Sequence, residues 1–107
     1  ISIHQNSFQD SAVKGAQVFY YKTSEKSKQL GECLQKGLVE IADTQNHRQA
    51  KSNESYFILK KTPCPTVIVE CGFLSNPKEC EKLKTKKYQQ KLIQGIYRGI
   101  LYYRKGD

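Results

Sequence analysis

The chain has 107 residues, 18 of them Lys or Arg and 10 Asp or Glu, giving a formal charge of +8 with 37% apolar residues. That length supports one small domain with one core, and no apolar run is long enough to span a bilayer. The positive balance favours an anionic partner (nucleic acid, acidic lipid or an anionic wall polymer) without choosing among them, and lysines such as Lys78, Lys82, Lys84, Lys86, Lys87 and Lys91 read as a solvated helix face.

Ile1 to His4 reads as a short strand running into the polar turn Gln5-Asn6-Ser7. Gly15-Ala16-Gln17-Val18-Phe19-Tyr20-Tyr21 is a second strand, opened by glycine and rich in aromatic residues. Ser24 can cap a helix with Glu25 in its first turn. Leu30, Cys33, Leu34, Leu38 and Ile41 then recur at helical spacing, with Gly31 and Gly37 as weak points. Ala42 to Ser55 is polar and reads as an exposed loop, followed by a short apolar segment, Tyr56-Phe57-Ile58-Leu59.

Pro63 and Pro65 bracket Cys64 and favour an extended lead into a strand from Thr66 to Cys71. Asn76 then caps a helix with Pro77 at its first position, and Glu79 and Glu81 suit its positive end. A last helix runs from about Tyr88 to Tyr103, with Tyr88, Leu92, Ile93, Ile96, Tyr97, Ile100 and Leu101 as the expected core face. Strands alternating with helices predict an α/β fold with a partly parallel sheet flanked by helices. The four cysteines show no C-x-x-C spacing, so a cysteine-based zinc site is not expected. Cys33 and Cys71 read as small buried hydrophobes; a Cys64–Cys80 disulfide is left open.

The chemistry concentrates in Val67-Ile68-Val69-Glu70-Cys71-Gly72-Phe73. β-branched residues on both faces predict a strand buried on both sides, and an acid at its carboxyl end costs roughly several kcal/mol to bury unless it is paired or metal-bound. Ligand sites of open α/β sheets lie at that end. His4 ends another strand, and neutral imidazole is the commonest zinc ligand. If the two strands are parallel neighbours, His4 and Glu70 face one crevice, as in a hydrolytic zinc site where a carboxylate moves the proton of the attacking water. His47 and Arg48 lie in the polar loop. Arg48 and Lys51 are candidates for holding substrate carboxylates, and Asn6 for touching substrate or orienting a turn. Ser75, in the turn after Gly72, has no partnering base in sequence and is not a credible nucleophile. The pairs Tyr20-Tyr21 and Tyr102-Tyr103 read as core and rim packing rather than stacking platforms.

Ser2-Ile3-His4-Gln5-Asn6, Gly15-Ala16-Gln17-Val18-Phe19-Tyr20-Tyr21 and Val69-Glu70-Cys71-Gly72-Phe73-Leu74-Ser75-Asn76-Pro77 resemble, in that order, the zinc-dependent N-acetylmuramoyl-L-alanine amidases (type 3), with Tyr88-Gln89, Ile96-Tyr97 and Gly99-Ile100 continuing the match. The Gly-Ala-Gln-Val-Phe-Tyr-Tyr wording is similar to the germination-specific spore-cortex amidases. The resemblance implies that His4 is a metal ligand and Glu70 the catalytic acid/base, with Zn2+ as cofactor in the full-length enzyme and absent or weakly held in this chain. The family's first histidine, in a G-H-G segment, and its middle glutamate ligand have no counterpart here and are expected upstream of Ile1. Residues 1–107 are thus expected to be the C-terminal part of a single amidase catalytic domain. The sheet would be incomplete, lacking its N-terminal strands and helix, and the chain alone inactive.

The resemblance also implies the reaction: hydrolysis of the amide between N-acetylmuramic acid and L-alanine in peptidoglycan, in the cell wall or spore envelope outside the cytoplasm. Peptidoglycan is the expected partner, with no nucleic acid and no membrane span. An exposed sheet edge would lead to a dimer or strand-swapped oligomer. The alternative is a non-catalytic basic module that binds wall polymer or regulates another hydrolase; the +8 charge suits it as well.

Overall fold

The computed structural model describes residues 1–54 and 63–106; the apolar segment Tyr56 to Leu59 lies outside them. The described elements are β1 (Ser2–Asn6), β2 (Gln17–Tyr21), α1 (Glu25–Ile41), β3 (Lys51–Asn53), β4 (Val67–Phe73), α2 (Pro77–Leu83) and α3 (Lys86–Arg104). The strands form one mixed sheet in the order β1-β4-β2-β3. β1 runs parallel to β4, β2 antiparallel to β4, and β2 parallel to β3.

The expected α/β class is the observed one. All seven residues of β4 are buried, as its apolar run requires of a central strand. One face of the sheet presents Val18, Val67, Val69 and Cys71 to Leu30, Leu34 and Leu38 of α1 and to Leu83, Tyr88 and Leu92. Local signals start the helices. The Ser24 side chain accepts from the Ser27 amide, Asn76 from the Glu79 amide with Pro77 in the first turn, and Thr85 from the Tyr88 amide. Each cap satisfies an amide that the first helical turn leaves without a partner.

The structure corrects several expectations. Lys51–Asn53 is not loop but an edge strand, its register set by pairing Phe19 with Lys51 and Tyr21 with Asn53. Backbone hydrogen bonding to β2, not apolar patterning, makes it a strand. Cys33 is only half-buried. On α3, Ile93 is 64% exposed, Tyr97 60% and Leu101 38%. The expected Tyr88 and Leu92 are buried, with Ile96 and Ile100 packed against the core, and the rest of the buried side is Gly95 and Gly99.

The reason is the crossing of α1 and α3. A Cβ on Gly37 would stand 2.2 Å from the Gly95 carbonyl oxygen, and one on Gly99 2.5 Å from the Leu34 Cα. Backbones that close rotate the larger apolar residues of α3 off the contact line. Gly37, which the sequence presents as a weak point of α1, is where the two helices touch.

The four cysteines form no disulfide with one another. Tyr20 and Tyr103 pack against the core, and the Tyr102 hydroxyl donates to Glu40 at 2.6 Å. Both observations are those of packing and rim residues.

Candidate active site

β1 and β4 are parallel neighbours, and His4 is the register partner of Glu70. Side chains at paired positions of adjacent strands rise from the same face, so imidazole and carboxylate share one side of the sheet. On the other flank of β4, antiparallel pairing sets Gln17 opposite Glu70. The carboxylate thus stands between a histidine strand and a glutamine strand.

Both strands run further than their sequences suggest, β1 to Asn6 and β4 to Phe73. The pair therefore lies within the sheet rather than at its rim. The extension has specific supports. The Leu74 amide donates to the Asn6 carbonyl at 2.7 Å, and the Phe73 amide donates to Glu79 Oε1 at 2.7 Å.

His4 is exposed and its Nε2 lies 2.7 Å from the Ser2 hydroxyl. Glu70 is 5% exposed. Burial, with the Glu70 charge as the second cause, pushes the adjacent Cys71 thiol up to about 11. That sulfur stays protonated at neutral pH and is no nucleophile.

Among the described residues, no group of three His, Cys, Asp or Glu side chains is placed to hold a metal ion. A catalytic zinc takes about three protein ligands, so His4 with Glu70 beside it does not by itself fit a zinc ion. His47 is exposed and borders a cleft lined also by Arg48, Asn46 and Lys14.

Arg48 is held on several sides. Its Nε donates to the Lys14 carbonyl at 2.7 Å and its Nη1 to Gln17 Oε1 at 2.8 Å, while the guanidinium lies 5.1 Å from the centre of the Phe73 ring. Through Gln17 it borders the position of Glu70. Lys51 is exposed on the edge strand β3, beyond β2 from Glu70. The Asn6 side chain accepts from the Ser7 amide at 2.8 Å. The Ser75 hydroxyl accepts from the Phe8 amide at 2.9 Å.

Two residues near the site carry no functional signal in the sequence. Gln17 stands in a motif but has no part that its residue type alone assigns. Glu79 reads only as an acid suited to a helix start. It is 2% exposed, and its carboxylate accepts from the Gly15 amide at 2.9 and 3.0 Å and from the Phe73 amide. It ties the segment before β2 to the end of β4. A capping-box spacing from Asn76 is its one visible signal.

The mixed α/β sheet thus sets a histidine and a buried glutamate side by side on parallel strands. The sequence model of the N-acetylmuramoyl-L-alanine amidases matches residues 1–102, and the chain belongs to that family. It is 36% identical to the germination-specific N-acetylmuramoyl-L-alanine amidase of Bacillus subtilis, over all of this chain and 46% of that protein. It is 31% identical to the amidase LytC of the same organism, over 97% of this chain and 21% of that one. Among solved structures, the CwlD amidase of Clostridioides difficile, in complex with the GerS lipoprotein, superposes with a TM-score of 0.96 at 43% identity, over 99% of this chain and 54% of that chain. An N-acetylmuramoyl-L-alanine amidase from Clostridium difficile 630 gives 0.84 at 31% identity, over 97% of this chain and 56% of that one. The chain thus spans about half the length of the germination-specific relative and of these solved amidases.

Proposed function

We propose that residues 1–107 are the C-terminal part of an amidase catalytic domain, and that the whole protein hydrolyses the amide between N-acetylmuramic acid and L-alanine in peptidoglycan. Its place of action is the cell wall or spore envelope. The observation that carries this reading is the register pair His4–Glu70 on adjacent parallel strands, within a chain of this family.

Glu70 is the acid/base. Its carboxylate takes the proton of the attacking water and returns it to the departing alanine nitrogen. The buried strand β4 holds it in place, its neighbours on both sides fixed by hydrogen bonding. In the whole protein His4 would be one ligand of a zinc ion, which would need further ligands beyond those the described residues supply. Alone, the chain then binds zinc weakly and hydrolyses nothing. Asn6 is assigned to the turn, and Arg48 to the substrate side of Gln17.

In the full-length protein, Glu70→Gln should abolish release of peptide from purified peptidoglycan while the bound zinc content is unchanged. Retained turnover would remove Glu70 from its role. For the chain alone, calorimetry with zinc should show no tight one-to-one site.

β1 is an edge of the described sheet, and Ile1 and Ile3 on or beside it are 51% and 56% exposed. Self-association of the isolated chain through that edge is part of the same reading, and sedimentation as a monomer at high concentration would count against it.

A further inference from the structure

A cleft of about 830 Å³ lies beside the proposed site rather than in it. Its walls come from three separate parts of the chain: the segment before β2 (Lys14, Gly15), the turn after α1 (Asp43 and Gln45 to Arg48), and α2 with its cap (Asn76, Lys78, Glu79, Lys82). Four of the lining residues are cations, namely Lys14, Arg48, Lys78 and Lys82, against the two carboxylates Asp43 and Glu79.

The two carboxylates are already engaged. Glu79 is turned inward onto the Gly15 and Phe73 amides. Asp43 lies 3.8 Å from Lys82 Nζ, which also stands 4.6 Å from the centre of the Tyr88 ring. Lys14 and Lys78 are exposed and have no ion-pair partner among the described residues. Arg48 spends two of its donors on Lys14 and Gln17, fewer than a guanidinium possesses. A concave surface with spare cations on facing walls has the form of a site for a ligand with several anionic groups.

The position of the cleft says which ligand. It meets the proposed site at Arg48, whose Nη1 holds Gln17, the register partner of Glu70. His4 stands on the opposite flank of β4. A substrate whose scissile amide lies over Glu70 therefore has one side toward His4 and the other toward the cleft. We infer that Lys14, Lys78 and Arg48 form a subsite for the free carboxylates of the peptide that is released, so that the peptide stem runs past Gln17 into this cleft. The inference rests on the amidase reading of Glu70 for its choice of ligand. It replaces Lys51, at the far edge of the sheet, with Lys14 and Lys78 as partners of Arg48.

The test needs no turnover. The full-length protein is titrated with the synthetic stem peptide L-Ala-γ-D-Glu-meso-diaminopimelyl-D-Ala, followed by calorimetry and amide chemical shifts. The parent should bind, with shifts at Gly15, Arg48 and Lys78. The double variant Lys14→Gln/Lys78→Gln should bind about tenfold more weakly, whereas Lys91→Gln, a charge control on α3, should bind within about twofold of the parent. The same peptide with its carboxylates amidated should lose its affinity. The inference is overturned if the parent does not bind at millimolar peptide, if the double variant binds like the parent, or if the amidated peptide binds as well as the free acid.

Cleavage of peptidoglycan by the full-length protein separates the two readings. Normal cleavage with an unchanged KM in the double variant overturns the subsite and leaves the amidase reading standing. Carboxylate-dependent binding combined with full activity of Glu70→Gln does the reverse.

Discussion

Gly72 leaves open the space that the Glu79 carboxylate fills: a Cβ on Gly72 would stand 2.7 Å from Oε1 and 2.9 Å from Cδ of that side chain. A buried carboxylate is tolerable only where amides point at it, and here the Gly15 and Phe73 amides do so. Gly72→Ala must push Glu79 out of this bracket. We expect a loss of about 2–4 kcal/mol in urea unfolding. Glu79→Gln, which keeps the volume and loses the charge, should cost about 1–3 kcal/mol. Wild-type midpoints for both variants would refute the bracket.

The contact of α1 with α3 admits no side chain at its centre. Gly37→Ala and Gly99→Ala should each destabilise by about 1–3 kcal/mol or more, the cost of overpacking a closely fitted contact. Gly31→Ala provides a contrast within the same helix, because its Cβ would meet the Tyr20 ring at 3.3 Å and no backbone atom closer. There the gain in helix propensity offsets the crowding, and the midpoint should move little.

Alkali should unfold the chain in a defined window. Burial, then the charges of Asp43 and Glu79, pushes Tyr88 up to about 12 from 10.0. Burial, then Glu70, pushes Cys71 up to about 11 from 9.0. Each group is held neutral in the folded state and ionises earlier in the unfolded one. Their stabilising effect is full below pH 9.0 and is lost progressively as pH rises toward the folded values. Thermal midpoints should fall above pH 9.0, and Cys71→Ser should remove the lower part of that fall. A flat midpoint from pH 8 to about 11 would contradict the burial of both groups.

Thiol chemistry offers an independent reading of the same core. Cys64 is exposed, Cys33 and Cys80 are half-buried, and Cys71 is 4% exposed with a raised pKa. An alkylating reagent at neutral pH should modify Cys64 first and Cys71 only on unfolding. Mass spectrometry of partly labelled protein would show the order, and early modification of Cys71 would overturn it.

Local signals are readable because they act over a few residues. Ser24, Asn76 and Thr85 each bond an amide three positions on, a geometry set by the helix itself. The seven buried residues of β4 match an unbroken apolar run. On α3 the same logic fails, because Ile93, Tyr97 and Leu101 lie at helical spacing but away from the line of close approach. A small-residue contact leaves no hydrophobic signature, since what matters there is the absence of side chains. β3 is hidden for a related reason: Lys51-Ser52-Asn53 becomes a strand through the hydrogen-bonding row that β2 offers, not through any apolar alternation of its own.

The sequence by itself determined the family, the α/β class and the two chemically distinctive residues, His4 and Glu70, because strand ends, caps and motifs are written in contiguous residues. Only the tertiary structure decided that these two are register partners on parallel strands, and that Gln17 flanks Glu70 from the other side. It alone turned Glu79 inward and gathered Lys14, Arg48 and Lys78 around one cleft. Strand order and register come from the pairing of backbone hydrogen-bonding rows that lie far apart in sequence, a property of segments brought together from across the chain.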